Sequence, residues 1–289
     1  MSKFINPFTD YGFKKIFGQE ISKELLIDFL NDLLEGERVI TDLTFLNNEQ
    51  LPEYMEDRGV IYDIYCTTDT GEKIIVEMQN KSQVRFKERA LYYLSRAIIR
   101  QGQVGYEWKF DIKAVYGVFF MNFLLADDVK LRTDVILADR ENGDMFCDKL
   151  RQIFIALPKF KKEESECEND FERWIYILTN METLKRLPFK ARKAVFERLE
   201  KIADVASLSR EERELYENSV DDYRTHLCVM DAAKLEGREE GRAEGREEGR
   251  EEGRAEERLA NARAMKEKGI SNSLIMDITG LTLEELDKL

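Results

Sequence analysis

Residues 60–81 read VIYDIYCTTDTGEKIIVEMQNK, and this stretch constrains the fold more than any other. Two runs of β-forming residues flank Asp69-Thr70-Gly71, which suits a three-residue loop: a type I turn closed by a left-handed glycine. That loop pairs position 68 with 72 and, counting outward, 63 with 77. Asp63 and Glu77 then face each other on neighbouring strands with Cβ atoms roughly 5 Å apart. Gln79, two residues on, shares their face, while Ile74, Val76 and Met78 point the other way into a core.

Opposed like charges destabilise a sheet, and burying carboxylates is costly without compensation. A divalent cation resolves the conflict. Two carboxylates at this separation are hard oxygen ligands for Mg²⁺ (or Mn²⁺), and Mg²⁺ keeps several waters and is held by one or two carboxylates plus substrate phosphate. Such a metal stabilises charge on a scissile phosphate and lowers the pKa of an attacking water. The competing expectation is an exposed hairpin face with both acids solvated or paired to lysines. A two-residue loop would shift the register by one and turn Asp63 away from Glu77.

The segment from about Val84 to Gln101 is patterned as an amphipathic helix. Arg85, Arg89, Tyr93, Arg96 and Arg100 fall at i, i+4, i+8, i+11 and i+15, a face of guanidinium groups with one aromatic. Phe86, Ala90, Leu91, Leu94 and Ile98 supply its apolar face. An arginine stripe directly after the acid-bearing strand suits a phosphate backbone; a solvated helix face is the plainer alternative.

Around this centre the pattern is mixed. Thr9 or Asp10 is placed to cap a short helix that turns Phe13, Ile16 and Phe17 inward. A second helix from Ser22 carries Leu25, Leu26, Phe29, Leu30 and Leu33 and stops at Gly36. Residues 39–46 and AVYGVFFMNFLL read as strands, and 130–157 as a hairpin around the two-residue Asn142-Gly143 turn signal. The charged run KFKKEESECEND marks a boundary near residue 160, beyond which 169–230 is helix-patterned, with Pro188 near the start of one helix. The expected divisions are an α/β domain over 1–160, a helical region over 161–235, a repeat segment over 236–268 and a helix-turn-helix-like cap over 269–289.

The repeat places glycines at 237, 241, 245, 249 and 253 among glutamates and arginines. Glycine costs about 1 kcal/mol per position in a helix, more than i,i+3 Glu–Arg pairs return. The segment is therefore either a flexible linker or a helix whose glycines let another helix approach closely. After it, Gly269 and Ser271 bracket a helix start, with Leu274, Ile275 and Ile278 following, and Thr282 to Glu285 has capping-box spacing. The pair has almost no basic residues, so an oligomerisation or capping element is favoured over a DNA reader, and a homo-oligomer through the tail is expected.

Composition narrows the chemistry. The single histidine, His226, leaves no His-based triad or His-rich metal site. The four cysteines are far apart without C-x-x-C spacing, which suggests neither a disulfide framework nor a zinc site. The net charge of −13 argues against indiscriminate nucleic-acid binding but permits a local basic stripe. No apolar run approaches the roughly 20 residues of a membrane span, and the start lacks a signal-peptide core, so a cytoplasmic location is expected.

Together NPFTDYGFKKIFG, YDIYCTTDTGEKIIVEMQNK, FKERALYYLSRAIIRQGQVGYEW and the glycine-arginine tail resemble the recombination-promoting nuclease and transposase family of the PD-(D/E)XK nuclease superfamily. The resemblance covers nearly the whole chain. It implies a restriction-endonuclease-like α/β core, a mixed central sheet flanked by helices, and metal-dependent cleavage of DNA, with a link to recombination or mobile elements. Asp63 matches the first motif acid and Glu77 the second; Gln79 stands at the superfamily lysine, the E-x-Q pattern of this family. Lysine there orients the nucleophilic water and stabilises charge, whereas glutamine hydrogen-bonds water without charge. Lys81 on the same face is a candidate helper, and Asp10 is where such folds place a further acid; an N-cap for Asp10 and a solvated position for Lys14 are the alternatives. Gln79 also admits a non-catalytic binding or assembly protein that keeps the nuclease fold, and RNA rather than DNA stays open as substrate.

Overall fold

The computed structural model describes residues 2–50, 59–105, 107–126, 130–190 and 193–289. Packing divides the chain into two units, Met1–Tyr223 and Arg224–Leu289. The first contains α1 (Asp10–Phe17), α2 (Lys23–Leu33), β1 (Leu43–Phe45), β2 (Glu49–Gln50), β3 (Val60–Ile61), β4 (Ile64–Thr68), β5 (Lys73–Gln79), α3 (Phe86–Ile99) and β6 (Val115–Met121). It continues with β7 (Arg132–Ala138), β8 (Met145–Ala156), α4 (Asp170–Asn180) and α5 (Ala194–Ala203). Helix α6 (Arg210–Glu267) runs from the first unit into the second, which adds α7 (Asn272–Thr279) and α8 (Leu283–Asp287).

The hairpin forms in the expected register. Ile64 pairs with Val76 and Thr67 with Lys73, so 63 stands opposite 77. Gly71 closes the loop at φ +95°, a left-handed value that glycine adopts without a Cβ penalty. The first strand is interrupted, however. Val60 and Ile61 pair with Gln50 and Glu49 in a separate two-stranded ladder, and the chain bends at Asp63 before β4 begins. The expected strand over 39–46 shrinks to β1.

Six strands form one sheet in the order β1-β4-β5-β6-β8-β7. The β5-β6 and β6-β8 ladders are parallel and the other three antiparallel. Period-two alternation sends Ile74, Val76 and Met78 to one face with Tyr116, Val118 and Phe120, where α1, α2, α4 and α5 cover them. Ile75 goes to the other face with Val115, Phe119 and Phe154, under Phe86, Ala90, Leu94 and Ala97 of α3. Both faces of the central strands are thus buried, as parallel sheets require.

The boundary expected near residue 160 falls inside the first unit. Trp174 and Phe196 belong to the same apolar cluster as Phe17, Phe29 and Phe120, so α4 and α5 complete the core instead of leaving it. Pro188 lies before α5, which starts at Ala194. The β7–β8 hairpin has the four-residue loop 140–143 between Asp139 and Asp144 rather than a two-residue turn, with register shifts beside Leu137. The four cysteines are free thiols, and burial pushes Cys66 up to about 12. Among the described residues no helix is long and apolar enough to cross a membrane.

The repeat is helical throughout, inside α6. Among the described residues nothing outside the helix approaches within 4 Å of a Cβ placed at any of its five glycines, so no helix of theirs packs closely there. Gly269 and Gly280 end the flanking helices in left-handed conformations, and Thr282 and Glu285 form the expected capping box. Ile275 is buried with Ala262, Leu281 and Leu286, whereas Leu274 and Ile278 are exposed.

Helix α1 is held by an unusually close N-terminal turn. Thr9 Oγ1 accepts the Gly12 N–H at 3.0 Å and donates to the Asn6 carbonyl at 2.8 Å. A Cβ at position 12 would lie 2.0 Å from that carbonyl oxygen, which is backbone and cannot rotate away. Gly12→Ala is expected to destabilise the protein by about 2 kcal/mol or more through overpacking, against the roughly 1 kcal/mol that alanine gains in a helix. Urea unfolding measures it; a more stable variant would contradict the packing described.

Candidate active site

Alternation along β5 puts Glu77 and Gln79 on the face covered by α3, and Glu77 is only 2% exposed. The bend at Asp63 then lets the two acids interlock. Glu77 Oε1 accepts the Asp63 N–H at 3.2 Å, and Asp63 Oδ2 accepts the Met78 N–H at 2.8 Å. Each carboxylate thus takes a backbone amide from the opposite segment. Glu77 Oε2 also accepts from Gln79 Nε2 at 2.9 Å. The solvated-face alternative does not describe Glu77.

Burial pushes the Glu77 carboxyl well above the usual range, and the charge of Asp63 pushes it further; the Asp63 N–H, Arg89 and Gln79 oppose the shift. Asp63 is raised in the same direction, again chiefly by burial, and is partly relieved by the Met78 N–H, Lys14 and Arg89. Two acids held together, Glu77 buried and Asp63 half-buried, both resisting ionisation, are the electrostatic signature of the site.

Helix α1 supplies nearby charges. Thr9, not Asp10, is the N-cap. Asp10 instead pairs with Lys14 at 2.7 Å, and both act on Asp63 with opposite signs. Among the described residues no group of three His, Cys, Asp or Glu side chains is arranged to hold a metal, so Asp10 does not complete a triad with the pair. Lys81 is exposed and lies beyond the end of β5.

The arginine stripe is not continuous. Arg85 precedes α3 with φ +63°, outside helical geometry, and is exposed. Arg96 is buried and Arg100 donates to Gln50 Oε1 at 2.5 Å. Arg96 and Arg100 both act on buried Tyr62, but only Arg96 is carried inward; Arg100 stays exposed. Leu91, expected on the apolar face, is exposed. Arg89 is the member of the set that acts on both acids. It lies 4.9 Å over the Tyr93 ring, donates to the Tyr93 hydroxyl at 2.8 Å, and donates to Gln83 Oε1 at 2.5 Å.

Two supporting residues carry no signal in the sequence. Asn48 accepts the Tyr62 N–H through its carbonyl at 3.0 Å and donates its amide to the Asp63 carbonyl at 2.7 Å, which fixes the bend. Tyr62 donates its hydroxyl to the Tyr93 carbonyl at 3.0 Å and so ties that bend to α3. Neither role follows from spacing, because both partners are distant in the chain.

A carboxyl whose pKa is raised by folding binds its proton more tightly in the native state. The stability it contributes is full below the ordinary carboxylate pKa of about 4.3 and is lost as pH rises through the folded value. Glu77→Gln, which keeps shape and removes charge, is therefore expected to raise the melting midpoint at about pH 8 in metal-free buffer. The gain should be at least about 2 °C, the shift for roughly 1 kcal/mol in a chain of this size, and should vanish near pH 4. A variant no more stable than wild type at the higher pH would mean the pair is not strained.

A family model described as PD-(D/E)XK nuclease family transposase matches residues 7–233. No curated protein and no solved structure matches the chain. The match takes in the whole six-stranded sheet, Asp63 and Glu77, and α1 to α5, and ends inside α6 before the glycine repeat. The chain belongs to the PD-(D/E)XK nuclease family transposases.

Proposed function

We propose that the Asp63–Glu77 pair is the Mg²⁺- (or Mn²⁺-) binding centre of a nuclease that hydrolyses DNA phosphodiester bonds. The observation that supports it is the interlocked pair itself: buried Glu77 and half-buried Asp63, both resisting ionisation, a conflict that a shared cation would relieve. The donor set fits Mg²⁺, which takes one or two protein carboxylates and fills its remaining positions with water and phosphate oxygens. When bound, the metal supplies Lewis-acid charge at the phosphate and a water of lowered pKa.

The protein's own residues do the positioning. The Asp63 and Met78 amides hold the two carboxylates toward each other, and Gln79 Nε2 fixes the Glu77 rotamer. Gln79 is thus an orienting residue for Glu77. The positive charge that lysine would bring at position 79 comes from Arg89 and Lys14, both of which act on Asp63. Asp63→Asn retains an acceptor for the Met78 N–H and is expected to abolish Mg²⁺-dependent cleavage of plasmid DNA with the circular dichroism spectrum unchanged. Cleavage at the wild-type rate by this variant would remove Asp63 from the site.

A second reading, a non-catalytic nucleic-acid-binding or assembly protein, is favoured by the uncharged Gln79. Calorimetric titration that shows no Mg²⁺ or Mn²⁺ binding to the wild-type protein would support it. Self-association through the tail accompanies either reading, supported by exposed Leu274, Ile278 and Leu283 in the second unit. Removal of residues 236–289 is expected to lower the oligomeric order measured by solution scattering, and an unchanged order would exclude the tail as the association element.

A further inference from the structure

A cleft of about 880 Å³ has walls that include Ile61, Val84, Tyr92, Arg85, Glu88 and Arg89. Its apolar members are notably open to solvent: Val84 is 94% exposed, Ile61 66% and Tyr92 40%. They come from separate segments, Ile61 from β3, Val84 from the turn before α3, and Tyr92 from α3 itself. Arg89 joins the cleft to the acids, since it lines the one and its charge acts on both of the others.

We infer that this cleft receives an unpaired nucleotide of the substrate strand, its base laid against Ile61, Val84 and Tyr92 and its phosphate toward Arg85 and Arg89. The inference rests on the nuclease reading of Asp63 and Glu77 and gives that site a substrate class: single-stranded or locally unpaired nucleic acid. A phosphate backbone alone needs cationic and hydrogen-bonding partners and gains nothing from aliphatic walls. An aromatic and apolar surface flanked by guanidinium groups is what a base face and its phosphate require together.

Fully paired duplex cannot use these walls. Its base faces are stacked on one another, and only edges are offered in the grooves. Glu88 on the same rim repels phosphate from its part of the cleft, which leaves the base as the group to be accommodated there. The volume falls within the roughly 300–1,000 Å³ of small-ligand sites, enough for one or two nucleotides.

The test uses the full chain in metal-free buffer at fixed salt, with fluorescence anisotropy of a labelled single strand of about 15 nucleotides and of the same sequence closed as a duplex. The double variant Val84→Ser/Tyr92→Ser changes exposed side chains, and its fold is checked by circular dichroism. It is expected to bind the single strand at least about tenfold more weakly, the effect of losing a stacking surface, with a smaller loss on duplex. Phe146→Ser, an equally exposed apolar change outside the cleft, serves as control and leaves both affinities unchanged. A single-strand loss under tenfold, an equal loss on duplex, or no single-strand binding by wild type overturns the inference. Because no metal is needed, this result is independent of Asp63→Asn: the cleft can fail while cleavage stands, and the reverse.

Discussion

The structure is organised around a repulsion. Two carboxylates from adjacent segments are brought together, Glu77 buried and Asp63 half-buried, and the charge of Asp63 disfavours ionisation of Glu77. Against a net stability of about 5–15 kcal/mol for a typical domain, such a site is a substantial local cost. It persists because its geometry is fixed from both sides. The amides of Asp63 and Met78 cross between segments, Asn48 holds the bend, and β5 is locked between β4 and β6. Separating the pair costs both of the amide bonds that cross between the segments.

That rigidity comes from a core closed on both faces. Below β5, rings of Phe13, Phe17, Phe29, Phe120 and Trp174 interlock, with Phe29 and Phe120 centroids 5.2 Å apart. The C-terminal helices are tied to this layer by polar contacts as well: Trp174 Nε1 donates to Asp28 at 2.9 Å, and Lys193 bridges Asp28 and Asp32 at 2.9 and 2.6 Å. Above β5, α3 covers Ile75 and Phe119 and carries Arg89. A residue within α3 therefore serves two purposes according to its angle on the helix. Phe86, Ala90 and Leu94 hold the sheet, and Arg89 reaches the acids.

Much of this was legible in the sequence, and the gaps have physical causes. The hairpin register followed from one loop, because Asp69-Thr70-Gly71 admits a left-handed glycine and period two then fixes every facing pair. The inward faces of α1 and α2 followed from helical spacing. The bend at Asp63 did not, since it depends on Asn48 and on β3 choosing a different partner from β4. The arginine stripe keeps its arc only in part, since Arg85 and Arg100 are exposed while Arg96 is buried between them. Periodicity gives relative angles on a helix, but only packing sets which angle points inward, and Arg96 shows that a charge can be carried in. The charged run near residue 160 looked like a boundary for a related reason: composition reports exposure of a loop, not whether the helices after it return to the same core.

Helix α6 shows the opposite balance. Five glycines at about 1 kcal/mol each are offset only in part by Glu–Arg pairs worth about 0.2–0.5 kcal/mol. Its early residues are held by the first unit, where the Tyr216 hydroxyl accepts the Asn6 N–H at 2.9 Å and Glu212 pairs with Lys15 at 2.5 Å. Its last turns are held in the second unit, where Ala262 packs with Ile275, Leu281 and Leu286. The repeat between them is exposed and has no apolar face to bury. Helical order in that segment is therefore imposed from its ends rather than generated locally, since nucleation is the costly step and both ends supply it. A composition that is weak as an isolated helix is thereby compatible with a continuous one.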